Sequence, residues 1–283
     1  MADNAPAAAP AAAPAAALAR AAVSGYDAVE IIGELYDHVP VYKARHDVDF
    51  YADEARSASG GILELGCGTG RVLIPIARLG KRITGIDSSP LMLGQCKARL
   101  AAEPATVREM AVVKAGDMRN LDLGRTFSLV TIPFRPFQHL ISVADQIATL
   151  RSAHRHLKPG GRLVFDVFNP NPRYFVDEHC AEEREDTPET PLPNGRAFRR
   201  TGRVPAVYIA DQYSEVELIY YVRNTDGKTE RLIQAFPMRW FWRHEMEHLL
   251  ARCGFRVEAV FGDFDRSPLT DASPEMIFIA ERA

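Results

Sequence analysis

The stretch over residues 62–70, Ile-Leu-Glu-Leu-Gly-Cys-Gly-Thr-Gly, constrains the fold more than any other part of the chain. It begins as a short apolar strand and ends in a turn where Gly66, Gly68 and Gly70 alternate with small residues. Glycines let the backbone turn sharply and let a ligand approach closely. A buried strand that ends in such a turn, just before a helix, is a frequent site for the polar part of a nucleotide-like ligand.

The chain beyond this turn alternates predicted strands and helices. Strands are predicted over 62–65, 82–86, 111–115, 127–132, 161–168, 256–261 and 275–281, and helices over about 70–79, 89–101, 143–157 and 243–253. This alternation predicts an α/β fold with a Rossmann-like, seven-stranded, mostly parallel sheet and helices on both faces. The carboxyl ends of the parallel strands then meet at one edge, where ligands bind.

The same pattern divides the chain into four parts. Residues 1–22 are almost entirely Ala and Pro and are predicted to form a disordered tail rather than a signal peptide. Residues 23–169 would form a helical cap and the ligand-binding core. Residues 170–241 would begin with a long loop over 170–195 and continue as an antiparallel insert, which would act as a lid or a substrate wall. Residues 242–283 would add a helix and two strands to the core.

Charge and cysteine content exclude several classes of partner. The net charge of −3 gives no reason to expect binding to nucleic acid or to an anionic membrane. No apolar run approaches the roughly 20 residues of a membrane-spanning helix. The four cysteines are scattered, which argues against a disulfide framework and fits a cytoplasmic protein. A homodimer is compatible with the sequence.

Acidic side chains near the predicted strand ends narrow the choice of ligand. The glycine spacing departs from the Gly-x-Gly-x-x-Gly pattern of dinucleotide sites, and Glu64 would repel a pyrophosphate but could accept from an ammonium group. Asp87 could accept two hydrogen bonds from ribose hydroxyls, and the residues after it, Ser88, Ser89 and Pro90, look like a helix start. Asp117 could accept from the amine of adenine, with Met118 against the ring, or be an ordinary loop residue.

In combination these motifs resemble the class I S-adenosylmethionine-dependent methyltransferases. The resemblance lies within about residues 60–168 and consists of Glu-Leu-Gly-Cys-Gly-Thr-Gly, Gly-Ile-Asp-Ser-Ser, Gly-Asp-Met and Leu-Lys-Pro-Gly-Gly. It implies S-adenosyl-L-methionine as cofactor. It further implies that the three glycines line the methionine part beside Glu64, that Asp87 takes the ribose, and that Asp117 and Met118 take the adenine. The complete set of implied cofactor-binding residues is Glu64, Gly66, Gly68, Gly70, Asp87, Ser88, Asp117, Met118, Ile132 and Pro133, of which the last two would face the sulfonium.

A finer resemblance concerns the small-molecule N-methyltransferases that act on amino sugars or glycine. It is carried by Leu35-Tyr36-Asp37, by the Phe-containing loop that ends at His139, and by the insert after the fifth strand. The resemblance implies Tyr36 and His139 as catalytic residues that border the acceptor amine. Taken alone, Tyr36 also fits a core aromatic, and His139 fits either a general base or a polar residue that shapes the pocket.

Aromatic residues around these two are expected to wall the acceptor, although ordinary core packing explains most of those in the insert at least as well. These aromatic residues are Phe137, Phe198, Tyr208, Tyr213, Tyr220 and Trp240.

The function predicted from the sequence is S-adenosylmethionine-dependent methyl transfer to a small-molecule nucleophile, with an amine favoured. The alternatives are an O-methyltransferase of a small metabolite and a non-catalytic protein that binds the cofactor. One motif points elsewhere: residues 244–248 match the His-Glu-x-x-His pattern of zinc proteases. We expect no metal there, because no third ligand follows at a usual spacing and the segment fits an amphipathic helix.

Overall fold

The computed structural model describes residues 30–283, so the predicted tail over 1–22 and the start of the predicted cap lie outside the described residues. Two short 3₁₀ turns, Pro136–His139 and Glu178–Ala181, accompany the regular elements. In chain order, these elements are α1 (Glu30–Tyr36), α2 (Pro40–Lys43), α3 (Asp47–Ser57), β1 (Ile62–Leu65), α4 (Leu73–Arg78), β2 (Ile83–Asp87), α5 (Pro90–Ala101), α6 (Ala105–Arg108), β3 (Ala111–Ala115), β4 (Phe127–Ile132), α7 (Val143–His156), β5 (Leu157–Phe168), α8 (Pro172–Val176), β6 (Arg184–Pro191), β7 (Ala197–Tyr208), β8 (Tyr213–Arg223), β9 (Thr229–Arg239), α9 (Arg243–Arg252), β10 (Phe255–Phe261) and β11 (Glu275–Arg282).

The larger sheet has seven strands in the order β10-β11-β5-β4-β1-β2-β3. Its first five strands along the chain pair in parallel, whereas β11 is antiparallel to both β5 and β10. The predicted Rossmann-like α/β fold is therefore confirmed. Because Leu65 pairs with Ile86, the glycine-rich turn after β1 lies beside the end of β2 and its terminal Asp87.

Apolar residues fill both faces of this sheet. In β1, Leu63 and Leu65 belong to one core cluster and Ile62 belongs to the other, as the alternation of side chains along a strand requires. Glu64 therefore shares a face with Ile62 and is buried with it. The sheet is covered on both sides, which leaves its carboxyl edge as the place where a ligand can enter.

The second sheet is antiparallel, in the order β6-β7-β8-β9, and corresponds to the predicted insert. A tight turn over 224–227 joins β8 to β9, and in it the Gly227 amide donates to the Asn224 carbonyl (3.0 Å). The prediction of one long loop over 170–195 is wrong, because β6 lies within it. β6 is an edge strand whose pairing with β7 shifts register around Pro188. Edge strands tolerate proline and charge because one of their sides needs no partner, and this hides them from sequence patterns.

The cap helices contact the insert as well as the core. Leu35 and Val39 form one buried cluster with Phe198 and Tyr220, which come from β7 and β8. The cap and the insert thus share an apolar cluster of their own. None of the helices over residues 30–283 is both long and apolar enough to span a bilayer.

Candidate active site

A cavity of about 450 Å³ lies at the carboxyl edge of the larger sheet. Its walls come from the glycine-rich turn and strand ends on one side, from the loop after β4, and from the cap and the insert on the other side. Nine of the residues singled out from the sequence line it: Tyr36, Gly66, Gly68, Asp87, Ser88, Asp117, Met118, Pro133 and His139. The fold thus brings most of the predicted site together in one cavity.

Three predicted site residues lie behind this lining. Ile132 is fully buried in the core. Gly70 has a φ of +80°, and a Cβ there would lie 2.7 Å from the Sγ of Cys96, so glycine allows the turn to pack on α5. Glu64 is 1 % exposed, and its Oε2 has no hydrogen-bond partner among the described residues. Burial raises the pKa of Glu64 well above its ordinary value.

The glycine-rich turn is tied to the end of β2 by one carboxylate. Asp87 Oδ2 accepts from the Gly68 amide (2.8 Å), and Oδ1 accepts from the Ser89 amide (2.9 Å). Gly66 (φ +72°) and Gly68 (φ +52°) both have left-handed backbone, which favours glycine. Apart from Gly68 itself and its two neighbours in the chain, no atom of the described residues lies within 4 Å of where a Cβ at Gly68 would stand. The turn therefore presents open backbone to the cavity.

The helix start predicted from Ser88, Ser89 and Pro90 is confirmed, since α5 begins at Pro90. The hydroxyl of Ser89 caps the helix by accepting from the Met92 amide (3.1 Å). Ser88 lines the cavity instead. The end of β2 thus supplies a helix cap and a cavity wall through different residues.

Asp117 sits at the cavity wall in a close ion pair. Arg119 donates to both of its carboxylate oxygens at 2.6–3.0 Å. These hydrogen bonds lower the pKa of Asp117, so the carboxylate stays ionised. Arg119 also lines the cavity, which the sequence motif did not indicate.

The loop after β4 has an unusual backbone where it borders the cavity. Phe134 (φ 70°) and Arg135 (φ 68°) are consecutive left-handed residues without being glycine. Such conformations cost about 1 to 3 kcal/mol each and persist only when their surroundings enforce them. The Phe134 amide donates to Asp166 Oδ1 (2.8 Å), and Arg135 pairs with Glu275.

Asp166 is fully buried and lies at the centre of a network of charges. It also accepts from the Tyr51 hydroxyl (2.6 Å) and from Arg45 Nη2 (2.6 Å). Arg45 bridges onward to Glu275 (2.7 Å) and Asp47 (3.1 Å). The carboxylates of Asp166, Glu275 and Asp47 raise the pKa of Arg45, although its burial opposes them. The network therefore holds the backbone of the loop after β4, which borders the cavity.

The sequence analysis did not identify this network. Its members come from the cap, from β5 and from β11, so local motifs could not reveal them. The available signal was Asp166 itself, an acid inside the apolar run Leu-Val-Phe-Asp-Val-Phe of β5. A charged residue in a strand that is buried on both faces requires partners.

His139 and Tyr36 line the cavity from the loop after β4 and from the cap. The ring of His139 contacts that of Phe236 edge-on, with 5.2 Å between centroids. Burial lowers the pKa of His139, although a hydrogen bond to the backbone of Pro237 acts to raise it. Proline has no N–H, so this bond is donated by the imidazole to the Pro237 carbonyl. Tyr36 is 9 % exposed and packs against Tyr42 and Phe134.

The aromatic residues expected to wall the acceptor are packed elsewhere, as the core-packing alternative allowed. Phe137 is fully buried between Phe165 and Phe241, with centroids 5.5 and 5.4 Å away. Phe198, Tyr220 and Trp240 are buried, and Tyr208 stacks on Tyr213. The insert instead lines the cavity with Gln234, Phe236 and Pro237 of β9.

The His-Glu-x-x-His segment lies on α9. His244 pairs with Glu247 one turn away (3.1 Å), and Glu245 caps the helix by accepting from the Trp242 amide (3.2 Å). Across residues 30–283, no three His, Cys, Asp or Glu side chains are grouped in a way that could hold a metal ion.

Comparisons with known proteins agree with this arrangement. Residues 62–161 match the family model described as a methyltransferase domain. The chain is 30 % identical over 224 residues to the cypemycin N-terminal methyltransferase of a Streptomyces species, covering 78 % of this chain and 82 % of that protein. It is 26 % identical over 240 residues to the dTDP-3-amino-3,6-dideoxy-alpha-D-glucopyranose N,N-dimethyltransferase of Streptomyces fradiae, covering 82 % and 86 %.

A solved structure is also similar. The S-adenosylmethionine-bound amino pentose methyltransferase of Micromonospora echinaspora superposes with a TM-score of 0.64 at 26 % identity. The superposition covers 84 % of this chain and 90 % of that one.

Proposed function

The chain belongs to the S-adenosylmethionine-dependent methyltransferases, and from this premise we propose that it methylates the nitrogen of a small amine at the cavity described above. One observation carries the proposal: a single cavity joins the glycine-rich turn and Asp87 at one end to neutral His139 at the other. The relatives named above act on amino sugars or on a peptide N-terminus, according to their names. An amine acceptor is the chemistry that these relatives share.

The residues at the turn fit the cofactor in shape and in charge. Gly68 leaves open space where a side chain would stand. Close to the turn, the buried Oε2 of Glu64 has no hydrogen-bond partner among the described residues. When bound, S-adenosylmethionine supplies an electrophilic methyl group on a sulfonium. We assign Asp87 to the ribose hydroxyls, Asp117 and Met118 to the adenine, and Pro133 to the sulfonium side. Glu64 would support the cofactor from behind the turn, where a bound ammonium group would favour the ionised form of its buried carboxyl.

At the acceptor end, His139 would orient the amine rather than act as the base that removes the proton of the amine. Its lowered pKa makes it a weaker base than an α-amino group, whose pKa is about 8. The imidazole can still engage the amine in a hydrogen bond and so aim the nitrogen lone pair at the methyl group. Alignment of this kind can contribute several kcal/mol to a displacement, and Tyr36 would limit the space beside the amine.

Calorimetry with S-adenosylhomocysteine, followed by a methyl-release assay on a panel of amines and alcohols, tests the proposal. We expect the wild-type protein to bind the product cofactor and to methylate amines in preference to alcohols. Binding without turnover of any amine or alcohol would favour the non-catalytic alternative. Turnover of alcohols alone would favour O-methylation.

The subcellular location of the protein is a further part of the proposal. The four cysteines, all within the described residues, are free thiols, which supports a reducing compartment such as the cytoplasm. A homodimer stays a prediction, which analytical ultracentrifugation would test.

A further inference from the structure

One polar group in the wall of the cavity has no role in the cofactor site. Gln234 lies on β9, two positions before Phe236, so both side chains project from the same face of the strand toward the cavity. Its side chain is almost fully buried, with 1 % of the residue exposed. Its Nε2 has no hydrogen-bond partner anywhere in the described part of the chain.

A chain of hydrogen bonds determines which end of this amide is left over. Arg200 can only donate, and it donates to Asp186 (2.9 Å) and to the Tyr42 hydroxyl (2.7 Å), which leaves the proton of the neighbouring Tyr220 hydroxyl to other partners. The Tyr220 hydroxyl donates its proton to Gln234 Oε1 (3.3 Å). The amide oxygen is therefore occupied, and the amide NH₂ is the free end.

The surroundings of this NH₂ are apolar on the cavity side. Phe236 and Pro237 follow it on the insert, and Phe134 and Leu140 line the same cavity from the loop after β4. The cofactor residues assigned above lie at the opposite wall, on the larger sheet. A donor that is buried without a partner in such a wall is unfavourable until a ligand supplies an acceptor atom.

We propose that Gln234 Nε2 donates a hydrogen bond to an oxygen atom of the methyl acceptor, which makes the site selective for amines that also bear a hydroxyl or carbonyl oxygen. The inference rests on the proposed function, since it concerns the acceptor of that same reaction. A site built to bond a substrate oxygen discriminates strongly against analogues that lack it, because its own polar group is then left unpaired. Amino sugars and peptide N-termini both provide such an oxygen, as hydroxyl and carbonyl respectively.

The first test needs no substrate. In a Tyr220→Phe background, where the amide oxygen has already lost its donor, Gln234→Met removes the amide while keeping the length of the side chain, so we expect the melting temperature of the acceptor-free protein to stay the same as in Tyr220→Phe or to rise. The matched control is Gln146→Met, because Gln146 is equally buried but donates to the Leu140 carbonyl (2.8 Å). We expect the control to lower the melting temperature by about 3 °C or more. An equal loss when Gln234→Met is added to Tyr220→Phe would reveal a structural partner for Nε2 and overturn the inference.

The second test compares acceptors. An amino-sugar nucleotide and an alanine tripeptide represent the two sources of oxygen, and propylamine represents an amine without oxygen. In Gln234→Met and in Gln234→Glu, we expect kcat/KM for the oxygen-bearing acceptor to fall about 10- to 100-fold and that for propylamine to change less than about threefold. Whichever of the two oxygen-bearing acceptors loses activity in the variants shows whether Gln234 bonds a sugar hydroxyl or a peptide carbonyl. S-adenosylhomocysteine affinity should stay unchanged.

The possible failures are distinguishable. Equal losses for all amines, or none for the oxygen-bearing ones, would overturn the role of Gln234 and leave the proposed function intact. Wild-type protein that binds S-adenosylhomocysteine but methylates no amine would overturn the proposed function and this inference with it.

Discussion

At the strand-edge end of the cavity, the two carboxylates that line it are already bonded within the protein: Asp87 holds Gly68 and Ser89, and Asp117 holds Arg119. At the insert end, Gln234 keeps an amide nitrogen for which the described residues provide no partner. The first end is organised before any ligand arrives, whereas the second is completed only by its ligand. This difference is what we expect if one end serves a constant cofactor and the other selects an acceptor.

The loop after β4 joins the two ends, so disrupting its support should have the largest effect. Asp166→Ala removes the acceptor of the Phe134 amide, and it also removes one of the buried carboxylates that pair with Arg45. Breaking a buried pair in this way costs about 3 to 5 kcal/mol of unfolding free energy, measurable by urea denaturation. The exposed pair between Arg78 and Glu103 is the control, and Glu103→Gln should leave stability unchanged. A stable Asp166→Ala protein with full turnover would show that the ends do not depend on this loop.

The next largest effect should be confined to the strand-edge end. Asp87→Ala removes two hydrogen bonds that shape the glycine-rich turn and the carboxylate assigned to the ribose. We expect affinity for S-adenosylhomocysteine to fall by about 100-fold, from bonds to a charged group worth about 1.5 to 3 kcal/mol each. Calorimetry measures this directly, with Asp122→Ala in the exposed loop after β3 as control. Undiminished binding would contradict the assignment of Asp87.

A smaller effect is expected at the acceptor end from His139→Ala. It should reduce kcat by about 10- to 100-fold through the loss of one orienting hydrogen bond, and it should leave S-adenosylhomocysteine affinity unchanged. Steady-state kinetics with the best amine of the panel would measure the split between kcat and cofactor binding. Intact turnover would remove His139 from the catalytic residues, and weakened cofactor binding would mean that the two ends are not separable.

The smallest effect concerns pH. The pKa of His139 is lower in the folded protein than its ordinary value of 6.5, so the unfolded chain takes up this proton first as the pH falls. Stability should therefore be unaffected by His139 above about pH 7 and should decline as the pH falls below 6.5, by at most about 1.4 kcal/mol per pH unit. Thermal unfolding of wild type and His139→Asn between pH 5 and pH 7 would measure it. The same slope in both proteins would contradict the lowered pKa.

Sequence reasoning succeeded where contacts are local or follow from the parallel sheet. The glycine-rich turn and Asp87 lie at the ends of adjacent parallel strands, so spacing along the chain was enough to place them beside each other. Gly70 and Glu64 show the limit of this reasoning, since both belong to the motif but lie behind the cavity wall. A motif identifies the segment and does not tell which of its atoms the ligand meets.

The acceptor end could not be predicted in the same way. The direction in which Gln234 points depends on the register of β9 against β8, which a one-residue shift would reverse. The aromatic residues of the insert attracted attention because of their size, yet burial in their own core accounts for Phe198 and Tyr220. Asp166, Arg45 and Glu275 are separated by more than 100 residues, so only the folded chain brings their charges together.

The apolar cluster shared by the cap and the insert has a consequence for protein engineering. Leu35 and Val39 pack against Phe198 and Tyr220, and Tyr220 in turn orients Gln234. Grafting a relative's insert alone would leave half of this cluster without its complement and would release the amide from its hydrogen-bond chain. Substrate range should therefore be transferable between relatives only when two segments are exchanged together, residues 30–43 and residues 184–239. The larger sheet with its cofactor site can be retained unchanged.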